Sequence, residues 1–150
     1  MKSSISVSLK YGVIIALSFI IYFLALKLIG LHTNPWFRVL NGLIMGGGIF
    51  LAIKEYKNNT NDFDYGSGFK TGVMAGFIAT ILFSSFMCIY FFHLDPSFTY
   101  HLLQNWFSGF DYGGGILVFI ISLEGFSSAF VLTLACMQFL KSSKNISQNK

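Results

Sequence analysis

Four long apolar runs occupy most of this chain and limit what it can fold into. They lie at about residues 11–29, 36–53, 71–94 and 116–140. The hydrocarbon core of a bilayer is about 30 Å thick and is crossed by about 20 helical residues, so each run is long enough to span a membrane. Backbone N–H and C=O groups in lipid must be satisfied within the segment, which favours helices. The pattern therefore predicts an all-α, polytopic membrane protein with four transmembrane helices.

The composition supports this prediction. Charged residues make up 11% of the chain, whereas a soluble domain contains about 25%. The alternating segments of about ten residues that build a membrane β-barrel do not occur. The first run also lacks the small-residue cleavage site of a signal peptide, so we expect it to be kept as a span. We therefore predict that residues 1–150 form one domain.

The distribution of basic residues predicts the orientation. Eight of the ten Lys and Arg residues lie before the first run, between the second and third runs, or after the fourth. Basic residues are enriched in the cytoplasmic loops of membrane proteins, so we predict that both termini are cytoplasmic. A protein that binds nucleic acid would carry its basic residues in a cluster. The expected partner is therefore the lipid bilayer and not a nucleic acid.

A shorter helix is predicted between the third and fourth runs, at about residues 96–108. Asp95 followed by Pro96 is typical of an N-cap and the first position of a helix. Apolar residues then recur at helical spacing opposite polar ones. The segment is too short to span, and a helix of this kind lies in the membrane interface. We predict an outer interfacial helix that packs over the mouth of the bundle or dips into lipid.

Small residues recur at every fourth position of the third run. Rows of this kind let helix backbones approach each other closely in a membrane. We predict that this row is a helix-packing face within the monomer, with a homodimer interface as the alternative. The fourth run offers similar small residues, namely Gly125, Ala129 and Thr133. The predicted packing residues of the third run are Gly68, Gly72, Gly76, Thr80 and Ser84.

Glu124 is the one acidic residue in the middle of an apolar run. An acidic residue at the centre of a span costs about 2–3 kcal/mol, so it should face the bundle interior and have a partner. Helical side chains lean toward the N-terminus of their helix. Glu124 and Lys27 would therefore point toward each other if the first and fourth spans are neighbours. We predict that they form an intramembrane polar pair, either a structural contact or a site for a proton, an ion or a ligand.

The sequence carries no recognisable catalytic or metal-binding signature. The spacing of His93, Asp95 and His101 matches no known set of metal ligands. Cys88 and Cys136 belong to opposite leaflets and are too far apart for a disulfide. No set of nucleophile, base and acid can be assembled in one leaflet. We therefore predict that the protein is not an enzyme and holds neither a metal nor a cofactor.

Four short motifs occur in order along the chain and together resemble a known family. They are KYG at residues 10–12, GIFLAIKEY at 48–56, YGSGFKTG at 65–72 and DP at 95–96. The chain is similar to an uncharacterised family of small four-span membrane proteins from Bacteroidota, known as domain of unknown function 4199. The likeness covers about residues 8–142. It implies four helices and an inner-membrane location, and it brings no activity or catalytic residue with it.

These patterns leave two kinds of role open. The first is a structural or accessory subunit of a membrane assembly, as a homo-oligomer or with another membrane protein. The alternative is a small transporter or channel component whose polar site is Glu124 with Lys27. The surroundings of Glu124 distinguish the two, because a dry, paired contact favours the first and a water-accessible cavity favours the second.

Overall fold

Helices account for nearly all of the described chain. The structure is a computed structural model, and it describes residues 3–31, 35–60, 63–106 and 113–140. No strand occurs among these residues. The α-helices are Ser4–Ile29 (α1), Arg38–Asn58 (α2), Tyr65–Ile89 (α3), Pro96–Trp106 (α4) and Gly115–Leu140 (α5). A 3-10 turn, Pro35–Phe37, leads into α2, and a π-helical turn, Tyr90–Leu94, continues α3.

Four of the helices are long and apolar enough to cross a membrane. They are α1, α2, α5 and the continuous helix formed by α3 and its π-helical turn. The predicted all-α fold with four spanning helices is therefore confirmed, and the chain is a multi-pass membrane protein. Two spans begin earlier than their apolar runs. Ser3 and Asp64 accept hydrogen bonds from the first turns of α1 and α3, so the polar residues that follow them are already helical.

The predicted helix after the third run is α4. The Asp95 carboxylate accepts a hydrogen bond from the Phe98 N–H at 3.1 Å and caps the helix. Phe98 and Thr99 are buried against the bundle, so α4 packs over its mouth, the first of the two predicted alternatives. Residues 107 and 108, the end of the predicted segment, lie outside the described residues. We call this end of the bundle the α4 end, and the opposite end, where α1 begins and α5 ends, the termini end.

The helix α3 is the centre of the bundle. It packs against α1, α2 and α5, and α2 also packs against α1 and α5. Within the described residues, α1 and α5 do not approach each other closely. The side chains of Ile15, Ile49, Ile53 and Met137 are fully buried where these helices meet. The first and fourth spans are therefore not neighbours, which bears on the predicted pairing of their charged residues.

Small residues allow a very close contact between α3 and α5. A Cβ added at Gly76 would stand 2.5 Å from the Cβ of Ala129, and one added at Gly125 would stand 2.6 Å from Thr80 Cγ2. The five residues predicted to pack, Gly68, Gly72, Gly76, Thr80 and Ser84, are all buried on this side of α3. Facing them along α5 are Met137, Thr133, Ala129, Gly125 and Ser122. We call these facing pairs the α3–α5 seam, and it lies within a single chain.

The seam predicts that a single methyl group will separate the two helices. We expect Gly76→Ala to lower the free energy of unfolding by about 1–3 kcal/mol, because the added Cβ overlaps Ala129. Thermal unfolding in mild detergent, followed by circular dichroism, measures the loss. Gly47→Ala in α2 is the matched control, since a Cβ at Gly47 meets no atom within 4 Å. Equal stability of the two variants would mean that α3 and α5 do not touch at Gly76.

Candidate functional site

A cavity of about 370 Å³ lies in the half of the bundle nearer the α4 end. All five helices contribute side chains to its wall. Gly42 of α2 is part of the wall, and a Cβ built there would meet no atom within 4 Å. The missing side chain therefore leaves open space that a larger residue would fill. Gly125 of α5 also lines the wall, but a Cβ built there would stand 2.6 Å from Thr80 Cγ2, so no such space is left beside it.

The wall of the cavity changes from polar to apolar along its length. Thr80 and Gly125 face each other in the α3–α5 seam and mark the deep end of the cavity, toward the centre of the bundle. The polar residues of the wall gather at this deep end, and they are Arg38, Asn41, Thr80, Glu124 and Ser128. The end under α4 is lined by Phe91, Phe98, Leu102 and Leu117. The cavity is therefore amphipathic along its axis.

An ion pair between Arg38 and Glu124 forms part of the polar end. Arg38, the first residue of α2, donates a hydrogen bond from Nη2 to Oε2 of Glu124 in the third turn of α5. Their side chains remain 36% and 53% exposed, respectively. Both residues line the cavity, so a molecule inside it can reach the two charges. The sequence left open whether Glu124 forms a paired contact or faces a cavity. In the structure it does both, because it pairs with Arg38 and also lines the cavity.

Lys27 has a different partner from the one predicted. Its ammonium lies 3.3 Å from Oδ2 of Asp95 and 4.6 Å from the centroid of the Tyr90 ring. The Tyr90 hydroxyl donates to the same carboxylate oxygen at 3.2 Å. Lys27 therefore joins the end of α1 to the corner between α3 and α4. The predicted pair of Lys27 with Glu124 is corrected to two separate pairs, Lys27 with Asp95 and Arg38 with Glu124.

The helix arrangement explains this correction. The predicted pair required α1 and α5 to be neighbours, but α2 and α3 are the helices that each of them contacts. Arg38 lies near the start of its apolar run, a position that is typical of the membrane interface. The sequence does limit the possible partners of Glu124. Arg38 and Lys27 are the only two basic residues that are not among the eight assigned to the cytoplasmic side. A choice between them needs the order of the helices, which the sequence does not state.

Asp95 holds the corner between α3 and α4 in place. The Phe98 N–H, followed by the Lys27 ammonium and the Tyr90 hydroxyl, lowers the pKa of the Asp95 carboxyl below its ordinary value. The carboxylate therefore stays ionised at neutral pH, as its pairing with Lys27 requires. Thr99 adds a further link, because its hydroxyl donates to the Phe91 carbonyl at 3.0 Å. The part of the cavity wall that α4 supplies is thus fastened to both α1 and α3.

A second polar cluster lies at the termini end. Lys10 and Tyr11 of α1 both donate to Oε2 of Glu55 on α2, at 2.7 and 2.8 Å. This cluster joins two neighbouring helices and is remote from the cavity.

Among the described residues, no three His, Cys, Asp or Glu side chains come together in a way that could hold a metal ion. The side chain of His101, one of the residues considered from sequence, lies outside the described part.

The two ion pairs predict different energetic couplings. Combining Arg38→Gln with Glu124→Gln should cost less free energy of unfolding than the sum of the single changes, by about 0.5–3 kcal/mol, because each single change strands a charge. The control combines Lys27→Gln with Glu124→Gln, and these effects should add within about 0.5 kcal/mol. Unfolding in detergent micelles gives the four stabilities of each cycle. Coupling in the second cycle but not in the first would contradict the pairing seen here.

Comparison with known proteins identifies a family without a known activity. A family model described as "Protein of unknown function (DUF4199)" matches residues 10–111. The match covers most of α1 and all of α2, α3 and α4, and it ends before α5. Neither a curated protein nor a solved structure matches the chain.

Proposed function

Because this chain belongs to DUF4199, a family of proteins of unknown function, we propose a role from its own geometry. We propose that the protein binds one amphipathic molecule inside the membrane and acts as an accessory component, not as an enzyme. The observation that carries this proposal is the cavity, which is polar at its deep end and apolar under α4. A purely structural subunit would not need such a space.

The size and lining of the cavity suit a small ligand. Sites for small molecules usually measure about 300–1,000 Å³ and combine a mostly apolar wall with a few polar groups. The cavity, at about 370 Å³, is at the lower end of this range. Its polar groups all lie toward its deep end and only apolar side chains line it under α4, so the ligand that fits has one polar end and one apolar end. The surrounding bilayer dissolves such molecules and can supply them.

The polar groups of the wall favour binding over catalysis. Glu124 accepts a hydrogen bond from Arg38, and an ion-paired carboxylate is a poor general base. The Thr80 hydroxyl donates to the Gly76 carbonyl at 2.9 Å, so its proton is already engaged. A nucleophile needs a neighbouring base that can take its proton. These two contacts support an accessory role and argue against hydrolysis or group transfer.

The accessory role includes partners within the membrane. Large apolar side chains are exposed around all four spanning helices, Leu43, Ile81, Phe119 and Val131 among them. Lipid covers such surfaces, and so can another membrane protein or a second copy of this chain. We propose that the protein works within an assembly of this kind. A transporter or channel component is the second candidate, and the reachable Arg38–Glu124 pair in the cavity wall favours it.

We further propose that the protein lies in a bacterial inner membrane with both termini in the cytoplasm. Eight of the ten Lys and Arg residues lie before the first apolar run, between the second and third runs, or after the fourth, and positive charge is enriched on the cytoplasmic side. Reporter fusions after Lys57 and after Gly113 test the orientation. The first should report the cytoplasm and the second the periplasm. A cytoplasmic signal from the Gly113 fusion would reject the orientation.

The binding proposal is tested by filling the cavity. Gly42→Leu should reduce binding of a ten-carbon alcohol, decanol, by about tenfold or more, because the new side chain occupies the space of the ligand. Equilibrium dialysis of radiolabelled decanol, with the protein in maltoside micelles and protein-free micelles as the blank, measures the bound fraction. We expect the wild-type protein to bind about one molecule per chain.

The control is Gly47→Leu on the same helix. A Cβ at Gly47, as at Gly42, meets no atom within 4 Å, but Gly47 is not part of the cavity wall. This variant should therefore keep the binding of the wild type. Equal binding by the wild type and both variants would show that the bound molecule sits outside the cavity, and the proposed function would then be wrong.

A further inference from the structure

The two charges at the polar end of the cavity differ in how easily they can leave it. Glu124 is nine residues into α5, about 13 Å from the start of that helix. Its short side chain keeps the carboxylate at that depth. Arg38 is the first residue of α2, and the Trp36 side chain just before it is 80% exposed. Tryptophan and arginine are typical of the membrane interface, and a long arginine side chain can extend outward to water.

Separation of the pair is therefore unfavourable for Glu124, which stays in the apolar interior, but not for Arg38. If a ligand takes the place of Arg38, the guanidinium can extend to the membrane surface and remain solvated. If a ligand takes the place of Glu124, the carboxylate is left without a partner in the apolar interior, where a lone charge is costly. The pair therefore yields to a positively charged ligand more readily than to a negatively charged one.

We propose that the ligand of the cavity is a lipophilic cation, such as an ammonium or phosphonium compound with an apolar body. Glu124 pairs with its positive charge, and Arg38 is a built-in competitor that occupies Glu124 while the cavity is empty. This inference rests on the proposed binding function and names the chemical class of the ligand. Arg38 then sets the affinity, because every cation that binds must first displace it.

The apolar wall of the cavity supports the same class of ligand. Five phenylalanine rings line it, namely Phe19, Phe23, Phe83, Phe91 and Phe98. The face of an aromatic ring attracts a cation and repels an anion, and the attraction strengthens where water is excluded. Lys27 illustrates this contact at the same end of the bundle, where its ammonium lies over the Tyr90 ring. The walls and the carboxylate thus both favour positive charge on the ligand.

Three probes with the same ten-carbon chain test the proposal, namely decyltrimethylammonium, decanoate and decanol. Binding to the protein in maltoside micelles is measured by equilibrium dialysis. The wild type should bind the cation more tightly than the anion by about tenfold. Arg38→Gln removes the competitor, so its affinity for the cation should rise about tenfold. Lys10→Gln removes a cation that is paired with Glu55 at the termini end, remote from the cavity, and it should leave all three affinities unchanged.

Glu124→Gln should abolish the preference for the cation while decanol still binds as in the wild type. Thermal unfolding gives a second readout in case Arg38→Gln is destabilised. A saturating concentration of decyltrimethylammonium should raise its melting temperature more than that of the wild type, because a tighter ligand stabilises more. A fall in cation affinity in Arg38→Gln, or a preference for the cation that survives Glu124→Gln, would overturn the inference.

The outcome separates this inference from the function on which it rests. If Gly42→Leu blocks all three probes but the charge variants change none of the preferences, the cavity binds amphipathic molecules without selecting cations. If Gly42→Leu blocks none of them, the binding function itself fails.

Discussion

Close contact between α3 and α5 is the constraint on which the rest of this structure depends. Lipid is as apolar as a leucine side chain, so spanning helices gain little from burying apolar surface against each other and depend on tight packing. In the seam, Gly76 meets Ala129 and Gly125 meets Thr80, with no room for one more methyl group. Once these helices are fixed, α1 and α2 can fill only the remaining sides of α3. The cavity is the space that this arrangement leaves at the α4 end.

Features that depend on local sequence could be predicted. The four spans follow from the length of their apolar runs, and the start of α4 follows from Asp95 and Pro96. The row of small residues from Gly68 to Ser84 could be identified because residues that recur at every fourth position lie on one side of a helix. The helices α1 and α3 begin before the apolar runs that they contain. Polar residues outside the hydrocarbon can be helical when Ser3 or Asp64 caps them, and hydropathy does not register a cap.

Features that depend on the order of the helices could not be predicted. The sequence indicates that Glu124 needs a positive partner and offers Lys27 and Arg38 on the same side, but the choice depends on which helix lies next to α5. The cavity was missed for a related reason. It arises because Gly42 has no side chain at a position opposite large rings on α1 and α3. A glycine on one helix can be recognised as part of a cavity only when the neighbouring helices are known. The sequence does draw attention to Glu124 as an acidic residue within a span, but it does not show what surrounds that residue.

The three contacts of Asp95 have a mechanical consequence. One carboxylate caps α4, pairs with Lys27 on α1 and accepts a hydrogen bond from the hydroxyl of Tyr90. The corner from which α4 starts is therefore held by the far end of α1 and by the last turn of the third span. The roof of the cavity is braced from two sides. A molecule that entered the cavity between α2 and α5 would leave this corner in place, but it would have to pass the Arg38–Glu124 pair that joins those two helices.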